Sequence, residues 1–294
     1  MKTHRLKMPP ILYLKLDNLI RGWKNKVLRT NYGQNDLKII QSIIEQAAQA
    51  SLIHFFQQST ASYKSDGSIV TNADLAMQES LATDLDKAYP QVAMLSEEIT
   101  EAQQVQAMTS GRDYWCLDPL DGTTNYQATM PLFSVSLALV SAGQVVLAVI
   151  YDPIRHEFFS AVRDQGFFIN GNPAKRPIQP TELSRSVAFI DFKRLPVELR
   201  KSLVDHSPYK SQRNIGSCAL EWAWLAAGRA QLLIHGSEKL WDYAAGCLLL
   251  SEAGGISETI PGEAVFVESL ETRSVVATSN AELFDQWSNR IRQF

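Results

Sequence analysis

The 294-residue sequence predicts a mixed α/β fold, with an antiparallel sheet flanked by helices in the first half and an α/β unit in the second. Three observations carry this. Two apolar runs, 133–140 and 145–151, flank Ser141-Ala142-Gly143-Gln144 in a hairpin pattern. Beyond about residue 185, short apolar runs alternate with stretches of helical periodicity. The chain is 45% apolar with no low-complexity tract, so it can bury a sizeable core.

Taken in order, residues 11–28 place Leu12, Leu16, Leu19, Ile20, Trp23 and Val27 at helical spacing with basic residues between them. Such a basic amphipathic helix can lie on a membrane surface or dock on a partner. An extra helix packed on its own domain, or a partly ordered extension, fits the same spacing. Tyr32-Gly33-Gln34-Asn35-Asp36 breaks that pattern and opens a helix to about residue 58. A second helix covers about 71–88, where Thr71 and Asp74 have capping-box spacing and Tyr89-Pro90 marks the stop.

Strands follow at 92–95 and 114–117, then the hairpin, then 157–162 and 166–169 before the turn Asn170-Gly171-Asn172-Pro173. The second half reads as strand 186–190, helix 196–206, strand 212–215, helix 217–227 and strand 231–234. Helix 241–253, punctuated by Gly254-Gly255, and helix 280–292 complete it. No repeat or flexible linker divides the halves, which are expected to share an interface.

The 28 basic and 31 acidic side chains leave a net charge of −3, and no nucleic-acid partner is expected. Residues 1–29 hold eight basic side chains against Asp17 alone, so the remainder carries 20 basic against 30 acidic groups, a net of −10. An acidic body suits a protein that gathers carboxylates at a cation site. Cys116, Cys218 and Cys247 match no zinc or redox spacing and sit in apolar stretches, as buried reduced thiols do. With no signal-peptide pattern and no apolar run of membrane-spanning length, the expected location is cytoplasmic.

The chemistry concentrates at Asp118-Pro119-Leu120-Asp121-Gly122-Thr123-Thr124. A strand runs out into two aspartates three residues apart, and Gly-Thr-Thr suits a helix start. Converging carboxylates are costly unless a cation neutralises them, and hard oxygen ligands select Mg²⁺ or a similar ion. Exposed amides at a helix start bind an anion such as phosphate. Together these are the parts of metal-assisted phosphate hydrolysis. An ordinary Asp-rich turn capping a helix has the same letters. Glu97-Glu98 places acids at a second strand end, and Asp242 opens the helix Trp241-Asp242-Tyr243-Ala244-Ala245-Gly246 as an N-cap would. The small residues of that helix would let another element approach closely.

These runs resemble signatures of the inositol monophosphatase family of Mg²⁺-dependent, lithium-sensitive phosphatases. The residues 117–125 look like its first signature, and 241–246 with Glu252-Ala253-Gly254-Gly255 look like its second. Leu95-Ser96-Glu97-Glu98, Val70-Thr71-Asn72-Ala73-Asp74 and Ile215-Gly216-Ser217-Cys218-Ala219 are similar to three further elements, all in family order from about residue 36. The resemblance implies the five-layer αβαβα sugar-phosphatase fold. It also implies a basic extension over 1–35 and one phosphatase domain over 36–294, with halves of about 36–184 and 185–294.

It assigns roles as well. Glu97, Asp118 and the Leu120 carbonyl would hold one Mg²⁺, Asp118, Asp121 and Asp242 a second, and Glu97 a weaker third. Asp74 and Thr123 would orient the attacking water, and the N–H groups of Gly122 and Thr123 would hold the phosphate. Gly216, Ser217, Cys218 and His235, with Asp121 and Asp242, would meet the substrate. The implied substrate is a small phosphorylated metabolite, inositol monophosphate by default, and the implied assembly a homodimer. Histidinol phosphate, fructose 1,6-bisphosphate and a 3′(2′),5′-bisphosphate nucleotide are alternatives of the same chemistry.

The sequence departs from the family at one place. Inositol-phosphate members usually carry an acid seven positions before the last metal aspartate, where this chain has His235. Either His235 contacts substrate, donating or accepting a hydrogen bond, or it ends a strand and Glu238 supplies the acid. Lys64 falls near a family lysine that often points into the site; a solvated loop lysine reads the same. The five histidines show no H-E-x-x-H spacing, and neither a G-x-S-x-G elbow nor a Walker-type loop is present. A mainly regulatory binding protein is the rival of another class; retention of all five carboxylates argues against it.

Overall fold

The computed structural model describes residues 32–56, 60–63 and 69–294; the basic helix expected over 11–28 and Lys64 lie outside the described residues. Helix α1 (Gln34–Ala48) passes into a π turn (Gln49–Ile53) and a short hairpin, β1 (Ala61–Tyr63) and β2 (Ile69–Thr71). Then come α2 (Asn72–Ala88), β3 (Ala93–Ser96), α3 (Glu101–Thr109), β4 (Tyr114–Asp121) and α4 (Thr123–Gln127). Five antiparallel strands follow: β5 (Ser134–Ser141), β6 (Gln144–Asp152), β7 (Glu157–Val162), β8 (Gly166–Ile169) and β9 (Asn172–Pro173). The second half runs β10 (Val187–Ile190), α5 (Val197–Asp205), β11 (Ser211–Arg213), α6 (Cys218–Ala226) and β12 (Leu232–Glu238). It ends with α7 (Leu240–Glu252), β13 (Ile256–Glu258), β14 (Arg273–Thr278) and α8 (Ala281–Ile291).

Strands β3 to β9 form a seven-stranded sheet in sequence order, parallel only between β3 and β4. The second sheet has the order β11-β10-β12-β14-β13, with β10 parallel to both of its neighbours. Strand alternation sorts the large sheet into two cores. Trp115, Leu117, Val135, Leu137 and Leu139 face α1 and α2, while Tyr114, Cys116, Ala138 and Val140 face α6 and α7. Helices α6 and α7 thus lie between the sheets, and Leu199, Leu203, Leu283 and Trp287 of α5 and α8 cover the far side of the second. This is the expected five-layer αβαβα order.

Several local expectations are met by local chemistry. Thr71 caps α2, accepting from the N–H groups of Ala73 and Asp74 while Asp74 accepts from the Thr71 N–H at 2.8 Å. The β5–β6 hairpin turns at Ala142 and Gly143, both with positive φ (51° and 77°), as a two-residue primed turn requires. The small residues of α7 do bring a neighbour close: a Cβ on Gly246 would lie 2.4 Å from Cγ of Trp222 in α6.

Other elements differ. Strand β4 continues through the aspartates to Asp121 instead of ending at 117, and β12 runs on to Glu238 instead of ending at 234. Helix α3 and strands β1, β2, β13 and β14 were not expected. Asp242 is the third residue of α7, not its N-cap, and its Oδ2 accepts the Lys239 N–H at 2.8 Å. Cys116 is buried as expected, but Cys218 and Cys247 are only half-buried; all three are free thiols. Among the described residues no helix is long and apolar enough to cross a membrane.

Candidate active site

Two aspartates three apart on a regular strand would face opposite sides of the sheet. Here the β4–β5 register slips by one residue, with Asp118 opposite Ser136 and Asp121 opposite Ser134. Pro119, which has no N–H to give the ladder, sits inside this bulge. The slip puts both carboxylates on the face that looks toward α6 and α7, and sends Leu120 into the opposite core. Asp242 arrives from the first turn of α7, where the Trp241 carbonyl accepts the Ser136 hydroxyl at 3.0 Å. Oxygens of Asp118, Asp121 and Asp242 lie within 4.8 Å of one another.

Asp118 and Asp121 are buried and Asp242 is half-buried, and three carboxylates at this separation repel. Burial and then the charge of Asp121 push Asp242 up to about 8. Burial, followed by the charges of Glu97, Asp121 and Asp242, raises Asp118 well above the usual carboxylate range. Burial also raises Asp121, although four donors oppose it. A hard-oxygen set that resists ionising together is what a divalent cation would satisfy, so these residues fit one. Glu97 follows β3 and lines the same cavity of about 1100 Å³.

Asp121 has a further task that the sequence reading missed. Its Oδ1 accepts the Cys218 N–H at 3.1 Å, and its Oδ2 accepts the Ala219 N–H at 2.9 Å, the Ser134 hydroxyl at 3.2 Å and the Ser217 hydroxyl. It therefore caps α6 from the large sheet, held by Ser134 at the start of β5 and by Ser217 just before the helix. Asn125 was also overlooked, though it stands in the first signature. Its Nδ2 donates to the carbonyls of Leu132 and Ile215, at 2.7 Å each, tying α4 to the 215–217 loop.

Asp74 performs two functions with different oxygens. Oδ2 closes the Thr71 capping box, and Oδ1 lies 3.3 Å from the Thr123 hydroxyl. The same hydroxyl is 3.1 Å from the Leu120 carbonyl, so its single proton chooses between two acceptors. Burial raises the Asp74 carboxyl above its ordinary value. Gly122, at φ +95°, makes the left-handed entry to α4, and a Cβ there would meet the Leu132 carbonyl at 3.0 Å.

The other predicted substrate residues, Gly216, Ser217, Cys218 and His235, line the same cavity, with corrections. His235 lies inside β12 and lines the cavity, but neither ring nitrogen is free for a substrate: Nε2 is 3.0 Å from Asp191 Oδ2, and Nδ1 accepts the Ser237 N–H at 3.2 Å. Glu238 does not supply the missing acid to the cavity. It is buried, accepts Trp222 Nε1–H at 2.8 Å, and is pushed up to about 8 by burial. The Ser217 hydroxyl is engaged by Asp121, and Gly216 lies against Asn125. Asp191, Lys193 and Arg194 also line the cavity and were missed. The signal for Asp191 was an aspartate ending an apolar run, as at Asp118.

With this geometry in view, residues 25–293 match a family model described as the inositol monophosphatase family. A relative named Nus factor SuhB, from Pasteurella multocida strain Pm70, is 36% identical over 203 residues, covering 66% of this chain and 72% of that protein. Among solved structures, extragenic suppressor protein suhB from Bartonella henselae is similar at 29% identity and TM-score 0.76, covering 88% and 99% of the two chains. An IMPase/NADP phosphatase complexed with Mg²⁺ and phosphate shares the fold, at 23% identity and TM-score 0.71, covering 95% of each chain.

Proposed function

Because the chain belongs to the inositol monophosphatase family, we propose that it is a Mg²⁺-dependent phosphomonoesterase acting on a small hydroxylated phosphate ester. Inositol monophosphate is the default substrate; histidinol phosphate, a sugar bisphosphate and a 3′(2′),5′-bisphosphate nucleotide are the alternatives. The observation that carries this reading is the convergence of Asp118, Asp121 and Asp242 on one face of a bulged strand. The Mg²⁺ and phosphate in the fold relative support the choice of ion and ligand.

In this reading Glu97, Asp118 and the Leu120 carbonyl hold one ion, Asp118, Asp121 and Asp242 a second, and Glu97 a third. When bound, Mg²⁺ supplies a water acidic enough to attack at neutral pH and neutralises phosphoryl charge. The chain's own residues do the rest. Asp74 Oδ1 takes the Thr123 hydroxyl proton as a hydrogen bond, which leaves the threonine lone pairs to orient the attacking water. The N–H groups of Gly122 and Thr123 hold phosphate oxygens at the mouth of α4. Asp121 keeps its orientation through its bonds to α6, so a ligand oxygen does not have to be ordered at each turnover.

Phosphate release from a panel of phosphorylated metabolites, with Mg²⁺ and with chelator, tests the proposal. Failure to hydrolyse any of them in Mg²⁺ would overturn it. A regulatory binding role is the second reading, favoured by the relative that bears the name Nus factor. Such a role would survive Asp118→Asn, whereas a catalytic one would not. The same family reading supports a lithium-sensitive homodimer in the cytoplasm, with 36–294 as the phosphatase domain and 1–35 as its basic extension.

A further inference from the structure

Part of the cavity wall is built on the turn after β10 (Phe192–Arg194). Asp191 is buried and its acceptors are taken. Oδ1 accepts the Lys193 N–H at 3.0 Å and Asn214 Nδ2 at 3.5 Å, while Oδ2 accepts Arg194 Nη1 at 2.5 Å and His235 Nε2 at 3.0 Å. With His235 Nδ1 accepting from Ser237, the hydrogen-bond network assigns the imidazole proton to Nε2. Neither Asp191 nor His235 is left to accept from a substrate hydroxyl.

What this wall offers the cavity is cationic donors: Lys193, Arg194 and Lys239, all exposed. A neutral polyol needs acceptors as well as donors, whereas an anion needs donors alone. The arrangement is also sterically built. A Cβ on Gly236 would lie 1.9 Å from the Arg194 carbonyl oxygen, so only glycine lets the turn close against β12. Arg194 and Asp242 line the same cavity, so the donor groups share its space with the proposed ions.

We infer that this wall is a second anion subsite, selecting phosphomonoesters whose alcohol portion carries its own negative charge, phosphate or carboxylate, over neutral polyol phosphates. The inference rests on the phosphatase reading above. With Nη1 held by Asp191, Arg194 brings a fixed guanidinium suited to either anion, with Lys193 and Lys239 as point charges beside it. His235 is a positioning residue: it holds Asp191, which holds Arg194.

The test uses matched pairs in Mg²⁺: glucose 1-phosphate against glucose 1,6-bisphosphate, and glycerol 3-phosphate against 3-phosphoglycerate. The first pair reports a phosphate in the subsite, the second a carboxylate. At least one pair should favour its more charged member in kcat/KM by roughly tenfold or more, the worth of one charge-assisted hydrogen bond. In Arg194→Gln that ratio should fall toward one. His235→Ala should lower it too, and His235→Gln, which keeps a donor for Asp191, should restore it. Equal rates within both pairs, or a ratio unchanged by Arg194→Gln, overturn the inference. If no ester is hydrolysed, the phosphatase reading is what fails. Calorimetric binding of the same pairs then decides the subsite: tighter binding of a charged member that Arg194→Gln abolishes supports it, and equal binding overturns it.

Discussion

The Asp121 carboxylate accepts the backbone N–H groups of both Cys218 and Ala219, at 3.1 and 2.9 Å, so a residue of the large sheet caps the helix packed beneath it. Asp121→Ala should therefore do more than remove a metal ligand. Amide exchange at Ala219 should accelerate by roughly tenfold or more as the first turn of α6 loses its acceptor. Asp118→Asn should lose turnover equally while leaving that amide protected. Exchange measured by NMR on both variants separates the two roles; identical protection would remove the cap from the account.

A second expectation concerns pH. Asp242 sits at about 8 in the fold against an ordinary 3.8, so the metal-free folded protein binds this proton more tightly than the unfolded chain. Its contribution to stability is thus present at low pH and lost as pH rises through about 8. In chelator, the melting temperature should fall between about pH 4 and pH 8 and level off above that. Mg²⁺ should flatten the slope without erasing it, because Glu221 and Glu238, also pushed up to about 8 by burial, titrate in the same direction. A melting temperature that rises over this range in chelator would contradict the electrostatic picture.

Thr123→Ala removes the hydroxyl between Asp74 and the Leu120 carbonyl. If the dyad orients the nucleophile, kcat should fall by roughly 10² to 10⁴ with KM changed little. Thr123→Ser should recover much of the loss. A threefold effect, or a loss confined to KM, would assign Thr123 to the architecture of α4 instead.

Gly246→Ala sets two effects against each other. Helix propensity favours alanine by about 1 kcal/mol. The added Cβ, however, would lie 2.4 to 2.6 Å from three Trp222 atoms, and overpacking of this kind costs roughly 1–3 kcal/mol. The clash should win, lowering the denaturant midpoint, and Trp222→Leu should relieve it. A stabilised Gly246→Ala variant would mean that α6 and α7 can part without penalty.

What was legible in the sequence was what short-range chemistry decides. The Thr71–Asp74 capping box, the Ala142-Gly143 turn and the small-residue face of α7 depend on neighbours within a few positions. The Asp118–Asp121 pair was recognisable, but its strand ending at residue 117 was not correct, since the bulge exists only in register with β5. His235 posed the same difficulty. Its partner Asp191 comes from β10, which pairs in parallel with β12 across more than forty residues. Helix α3 escaped because only Gln104 and Ala107 are buried along it, too few for a visible stripe. Strand β14 lies between β12 and β13 in the second sheet and meets both of them only through the fold.

The cap at Asp121 has a thermodynamic corollary. One carboxylate is shared between a proposed cation and the start of a helix, so occupancy of the first and integrity of the second are linked by reciprocity. The factor by which opening α6 weakens the ion is the factor by which the bound ion holds α6 closed. Substitutions at buried α6 positions such as Trp222 or Leu225 should then appear in a Mg²⁺ titration, and the affinity of the site becomes a gauge of how firmly the two sheets are joined.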